Sequence, residues 1–192
     1  CMKRLREFHD LKLSVKHSFD IFGHIEFYES LREGKPSVYG DYNETKANVY
    51  KLRSFVDSIE KDWCLTHIDA VPDNFLFFSR KETDSKVLLI DWEYSGMQDP
   101  HVDIAMFCIY SLYGKQECDH LIDLYFEGNC DVETRAKIYC YIAMCGLLWS
   151  NWCEYKQMLG VEFGEYSLRQ YRYAKEYFRY AKELIGGKYG IE

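Results

Sequence analysis

The sequence predicts an α+β chain, mostly helical, with one short β-hairpin near its middle. Three observations carry that prediction. Apolar residues recur at helical spacing toward both ends, a block of bulky β-prone runs interrupts them, and no linker-like stretch divides the whole. With three prolines (Pro36, Pro72, Pro100) and no low-complexity segment, residues 1–192 read as a single domain. That length fills one core well and is too short for two ordinary ones.

Residues 1–10 read as a short helix or a helix end. Residues 18–33 contain a second helix, with Phe19, Phe22, Ile25 and Leu31 on roughly one face. Asn43, a good N-cap type, opens a third in which Val49, Leu52, Val56 and Ile59 keep helical register. The rhythm then changes. Trp63–Thr66, Phe75–Phe78 and Val87–Ile90 are short β-prone runs, and polar Ser79 to Lys86 between the last two suggests a hairpin. Beyond Pro100 the helices return. Asp131 can cap a long one whose Ile138, Tyr141, Ile142, Cys145, Leu148, Trp149 and Trp152 form a buried stripe. A last helix near 166–185 carries Tyr171, Ala174, Phe178, Ala181 and Ile185 on one side.

Hydrophobic residues at 47% and charged residues at 29% exclude a disordered chain. A net charge of −7 gives no electrostatic reason to seek nucleic acid or anionic lipid, and it tolerates a cationic small substrate. The eight cysteines include no C-x-x-C pair, and several sit among apolar residues, as Cys108 does within Ala105–Ile109. They read as reduced core thiols, which implies a cytoplasmic setting. The longest apolar stretch, Tyr139 to Trp149, is too short to cross a bilayer, and no secretory signal opens the chain. The start at Cys1-Met2-Lys3 falls midway through a helix, so the sequence reads as lacking a natural beginning.

The chemistry concentrates around the hairpin. His67-Ile68-Asp69 is followed by Asn74 five positions after the aspartate, and by Asp91 seventeen positions further on. That is the order, and nearly the spacing, of a kinase catalytic loop followed by its metal-binding aspartate. Phosphoryl transfer asks for an aspartate within reach of the acceptor hydroxyl, to orient it and take its proton. It also asks for hard oxygen ligands that hold Mg²⁺ against nucleotide phosphates, a task suited to an asparagine carbonyl and a carboxylate. A hairpin between Asn74 and Asp91 brings those two side by side. Asp69 is therefore assigned as the base, Asn74 and Asp91 as metal ligands, and His67 as a residue that orients the loop. The competing view makes Asp69 and Asn74 turn residues and Asp91 a strand cap. It leaves the joint spacing unexplained.

The run Leu88-Leu89-Ile90-Asp91-Trp92-Glu93-Tyr94, then Asp99-Pro100 and Asp103-Ile104-Ala105, resembles the choline/ethanolamine kinase family within the aminoglycoside phosphotransferase clan. Phe19 to Tyr28, Gly146 to Ser150, and Glu162-Phe163-Gly164 are similar to the same family, so the resemblance runs from about residue 3 to 180. Its flavour is that of the bacterial choline kinases. It implies the C-terminal lobe of the protein-kinase-like fold, ATP as phosphoryl donor and Mg²⁺ as cofactor. It further implies a choline pocket of Tyr94, Trp149 and Phe163, with Trp152 one helical turn beyond Trp149 and Glu93 close by. A quaternary ammonium cannot donate a hydrogen bond, so aromatic faces and carboxylates must recognise it. The structural alternative makes these rings core, as aromatics are 17% of the chain. Asp103 is expected to bond back to the catalytic loop, and His9 and His101 to be bystanders.

In one respect the sequence departs from the family pattern. Animal enzymes of the family carry a second cage tryptophan three positions before Trp149; here the residue is Gly146, and Trp152 stands as its substitute. No Gly-rich loop followed by a strand lysine is found, so the N-terminal lobe that grips ATP is expected to be missing from this chain. The 192 residues alone are then expected to give no choline-dependent ADP release. Ethanolamine and aminoglycosides remain alternative acceptors, and a non-catalytic binding module remains an alternative class.

Overall fold

The structure, a computed structural model, describes residues 1–79 and 85–186. In chain order the helices are α1 (Met2–His9), α2 (Ile21–Ser30), α3 (Tyr42–Ser58), α4 (His101–Tyr110), α5 (Lys115–Phe126), α6 (Val132–Met158) and α7 (Glu165–Ile185). The strands are β1 (Cys64–Thr66), β2 (Phe75–Ser79), β3 (Ser85–Leu89) and β4 (Gly96–Gln98), with a 3-10 turn at Pro72–Asn74. The mostly helical α+β prediction holds, and the hairpin forms where the β-prone runs lie. Its polar turn, 80–84, falls outside the described residues.

The chain forms two compact units built from alternating segments. One joins Cys1–Phe19 to Lys61–Cys130; the other joins Asp20–Glu60 to the chain from Asp131 onward.

In the first unit two antiparallel pairs lie along the sequence between α1 and α4. β1 pairs with β4 in the register Cys64↔Gln98, Leu65↔Met97 and Thr66↔Gly96. The segment before α2 lies along this pair, with Met97 N–H bonded to the His17 carbonyl at 3.0 Å and Phe19 N–H to the Met97 carbonyl at 3.2 Å. Gly96 permits that approach, since a Cβ there would stand 3.1 Å from the Phe19 nitrogen. β2 pairs with β3 from Phe75↔Leu89 to Ser79↔Ser85. The core of the unit is built on α4, where Val102 through Ile109 are all buried; Leu5 of α1 and Ile122 of α5 are fully buried as well. Phe75 at the base of the hairpin meets Phe107 edge to face, with centroids 5.8 Å apart.

The second unit is built around α6, which packs against α2, α3 and α7. The Asp20 carboxylate caps α2 by accepting from Phe22 N–H, and Asp131 caps α6 by accepting from Thr134 N–H. The helix expected to open at Asn43 starts at Tyr42, with Asp41 as its cap residue. The stripe expected on α6 is wider than a stripe: every residue from Ala136 to Asn151 is buried, because neighbours cover all sides of the helix. Trp152 is half-buried. Gly146 sets the spacing between α6 and α7. A Cβ on it would lie 2.8 Å from the Gln170 carbonyl oxygen and from the Tyr173 Cβ. No described helix is long and apolar enough to cross a membrane.

Candidate active site

The loop after β1 is held from beneath by a buried carboxylate. Asp103, in the first turn of α4 and fully buried, accepts from the main-chain N–H of His67 (2.9 Å) and of Ile68 (2.7 Å). Its Oδ2 also accepts from His9 Nε2 at 2.9 Å. His9 Nδ1 lies 2.8 Å from the Tyr125 hydroxyl, whose pKa burial first, and then Asp103, hold well above its usual value. That phenol therefore keeps its proton and donates. These bonds restrain a strained backbone. Ile68 has φ +68°, which a β-branched residue adopts at a cost of about 1–3 kcal/mol. Asp103 does what the sequence leads one to expect. His9 is no bystander, however, and its role was missed. Its one sequence signal is its place four residues after buried Leu5 on α1.

Asp69 follows immediately and is half-buried. The Asn74 side-chain amide donates to both the main-chain carbonyl (2.9 Å) and the carboxylate Oδ2 (3.1 Å) of Asp69. The hairpin then returns the chain to the same place. Ile90 N–H donates to the Asn74 carbonyl at 3.0 Å, and His67 Nε2 donates to the Ile90 carbonyl at 2.8 Å. Fixing Ile90 on both sides delivers Asp91 beside Asn74. Asp91 has φ +65°, is exposed, and makes no hydrogen bond or ion pair to any described residue.

His67 is fully buried and spends its Nε2–H on a peptide carbonyl; its Nδ1 is buried without a partner. It thus orients the loop. Trp92 packs edge-on against the His67 ring (4.6 Å) and Phe8 (4.9 Å), which carries the Asp91 turn onto α1.

Burial pushes the Asp69 carboxyl above the ordinary range; Asp91 and Glu93 add to this, while the Asn74 bond and His67 oppose it. The Tyr94 phenol is likewise raised, first by burial and then by Glu93, Asp69 and Asp91. Asp69, Asp91, Glu93 and Tyr94 therefore lie within electrostatic reach of one another. Tyr110, which the sequence did not single out, donates to Asp73 at 2.8 Å and ties the 3-10 turn to the end of α4.

These groups suit Mg²⁺. The Asn74 amide nitrogen faces Asp69, so its carbonyl oxygen would be available as a hard ligand, and the Asp91 carboxylate bonds to no described residue. Among the described residues no three acidic, histidine or cysteine side chains form an all-protein cage. Mg²⁺ typically takes only one or two carboxylates and completes its shell with water and substrate phosphate.

The second unit carries the other predicted residues. Trp149 and Trp152 have ring centroids 5.6 Å apart, Trp152 and Phe163 5.2 Å, and Phe163 and Tyr166 6.2 Å, so the rings make a continuous row. Tyr166 was not foreseen. Gly146 takes no part in the row, since it faces the α7 backbone. On another side of α6, buried Glu154 accepts from the Arg32 guanidinium, the Ser37 hydroxyl and Val38 N–H, anchoring the segment between α2 and α3.

The choline/ethanolamine kinase family profile matches residues 2–127. A curated relative, protein LicA of Haemophilus influenzae, is 28% identical over 182 residues, covering 88% of this chain and 50% of that protein. Two solved structures are also similar, each 28% identical with a TM-score of 0.75. One is LicA in complex with AMP, with 94% of this chain and 61% of that one covered. The other is the choline kinase LicA of Streptococcus pneumoniae, with 93% and 62% covered. The chain spans between 50% and 64% of the length of the curated relatives it matches.

Proposed function

The chain belongs to the choline/ethanolamine kinase family, and from that premise we propose that the protein carrying it transfers the γ-phosphoryl group of ATP to the hydroxyl of choline. One observation carries the reading. Asn74 is bonded to Asp69 through its side chain and to Ile90 through its backbone, so the loop carrying Asp69 and the strand end leading into Asp91 meet at Asn74.

In this proposal Asp69 accepts the proton of the acceptor hydroxyl. Burial raises its pKa, which makes it a better base than a solvated aspartate, and the Asn74 bond and His67 oppose that rise. Asn74 and Asp91 would hold Mg²⁺, which when bound would neutralise charge on the phosphates. His67 keeps the loop in register and moves no proton. Tyr94 and Glu93 are proposed as substrate-binding residues beside Asp69. The row of Trp149, Trp152 and Phe163 is proposed as an aromatic surface for a trimethylammonium group. Each ring adds about 0.5–2 kcal/mol.

The chain is proposed to act as the catalytic and acceptor-binding lobe, working with a lobe that grips ATP. A cytoplasmic location is proposed as well, supported by eight free thiols.

The test is ADP release by the complete protein with choline, ethanolamine and aminoglycosides in parallel. Choline should give the highest kcat/KM. Preference for ethanolamine would move the reading within the family, and turnover with none of the three would overturn it.

A further inference from the structure

Lys156 lies in the last turn of α6, one helical turn beyond Trp152. Its ammonium stands over the Trp152 ring, 5.7 Å from the centroid. It makes no hydrogen bond or ion pair to any described residue. The buried acid nearest along the helix, Glu154, is already committed to Arg32, Ser37 and Val38. Lysine is normally well solvated or paired, so the ammonium of this half-buried residue, set over an aromatic ring, bears on what that ring can bind.

We propose that Lys156 is a built-in competitor for the cation site: its ammonium occupies the π surface of Trp152 and must be displaced before a quaternary ammonium can use that ring. This rests on the choline reading and deepens it. Two cations on one ring gain from the same quadrupole and repel each other, so they do not share it at full strength. The tether keeps the competitor at high effective concentration whatever the bulk salt. Lys156 would then weaken every cationic ligand by a constant factor. Because that factor is the same for each ligand using the ring, it lowers affinity and leaves the preference among them to Trp149 and Phe163.

The experiment titrates choline, and separately tetramethylammonium, into the complete protein by tryptophan fluorescence and calorimetry. The variants are Lys156→Met, Lys156→Arg, Trp152→Leu and Trp152→Leu/Lys156→Met, with Lys182→Met on α7 as a charge-matched control. Circular dichroism and Tm establish that each is folded. Lys156→Met should tighten both ligands about two- to fivefold; Lys156→Arg and Lys182→Met should not. The gain should vanish on the Trp152→Leu background. If wild type binds choline and Lys156→Met leaves the affinity unchanged or weaker, the competitor proposal fails and the choline reading stands. A gain that persists without Trp152 also overturns it, because the effect would then be long-range charge. No saturable response to either ligand in any variant retaining Trp149 and Trp152 would overturn the choline reading itself.

Discussion

His9 and Asp103 meet at 2.9 Å in the interior of the first unit, 1% and 0% exposed, linking the end of α1 to the first turn of α4. The same carboxylate holds the two peptide N–H groups that precede Asp69. A side chain distant in sequence therefore bears on the conformation of the candidate catalytic loop.

Replacing His9 with phenylalanine keeps the ring volume and removes a donor from a buried carboxylate. The expected loss is about 1.5–3 kcal/mol, read as a lowered denaturation midpoint. Turnover by the complete protein should fall as the strained Ile68 peptide relaxes. A variant as stable as wild type would show that Asp103 does not need this partner.

Asp69→Asn should lower kcat by about 10²–10⁴ while leaving choline affinity nearly unchanged. Stability should move the other way. Because the folded-state pKa of Asp69 is raised, chiefly by burial, its contribution to stability is full at low pH and is lost as pH rises through the folded value. At neutral pH wild type bears that loss and the asparagine variant does not. Tm of Asp69→Asn should exceed wild type at pH 7, and the difference should disappear below the unfolded value of about 3.9. A lower Tm at pH 7 would contradict this account.

Gly146→Ala tests the α6–α7 contact. Helix propensity alone favours alanine by about 1 kcal/mol. The methyl group, however, meets a backbone carbonyl at 2.8 Å that cannot swing aside. Overpacking of this kind costs about 1–3 kcal/mol, so the variant should be destabilised in urea. A stabilised variant would mean that the helices separate without penalty.

Glu154→Ala leaves the buried Arg32 guanidinium without its main counter-charge and frees Ser37 and Val38. Breaking a buried pair from one side costs about 3–5 kcal/mol. Hydrogen exchange should show residues 32–39 losing protection before the helices do.

The hairpin and the grouping of Asp69, Asn74 and Asp91 were legible because short-range spacing encodes them: a loop of fixed length, two β-prone runs, and one strand's return. Asp103 was legible through the family-like run Asp103-Ile104-Ala105 and not through spacing, since its loop partners lie 36 and 35 positions away. His9 was not, since nothing local marks a histidine whose partner is 94 positions away. The burial of α6 was underread because three-four periodicity reports the most apolar face, whereas three neighbouring helices cover the others. The start of α3 was placed late because Asp41 precedes an equally plausible cap residue, Asn43, by only two positions. Lys156 over Trp152 needs rotamers, which composition does not supply.

The alternation of segments between the two units also matters during synthesis. Ile25, Val49 and Leu52 on α2 and α3 are fully shielded in the finished chain, and α6 supplies cover for both helices. α3 ends at Ser58 and α6 begins only at Val132. At about 5–20 residues per second that interval is on the order of ten seconds on the ribosome. For that interval α2 and α3 are made without the helix that later covers them, so the delay between them and α6 is a cost of this chain order.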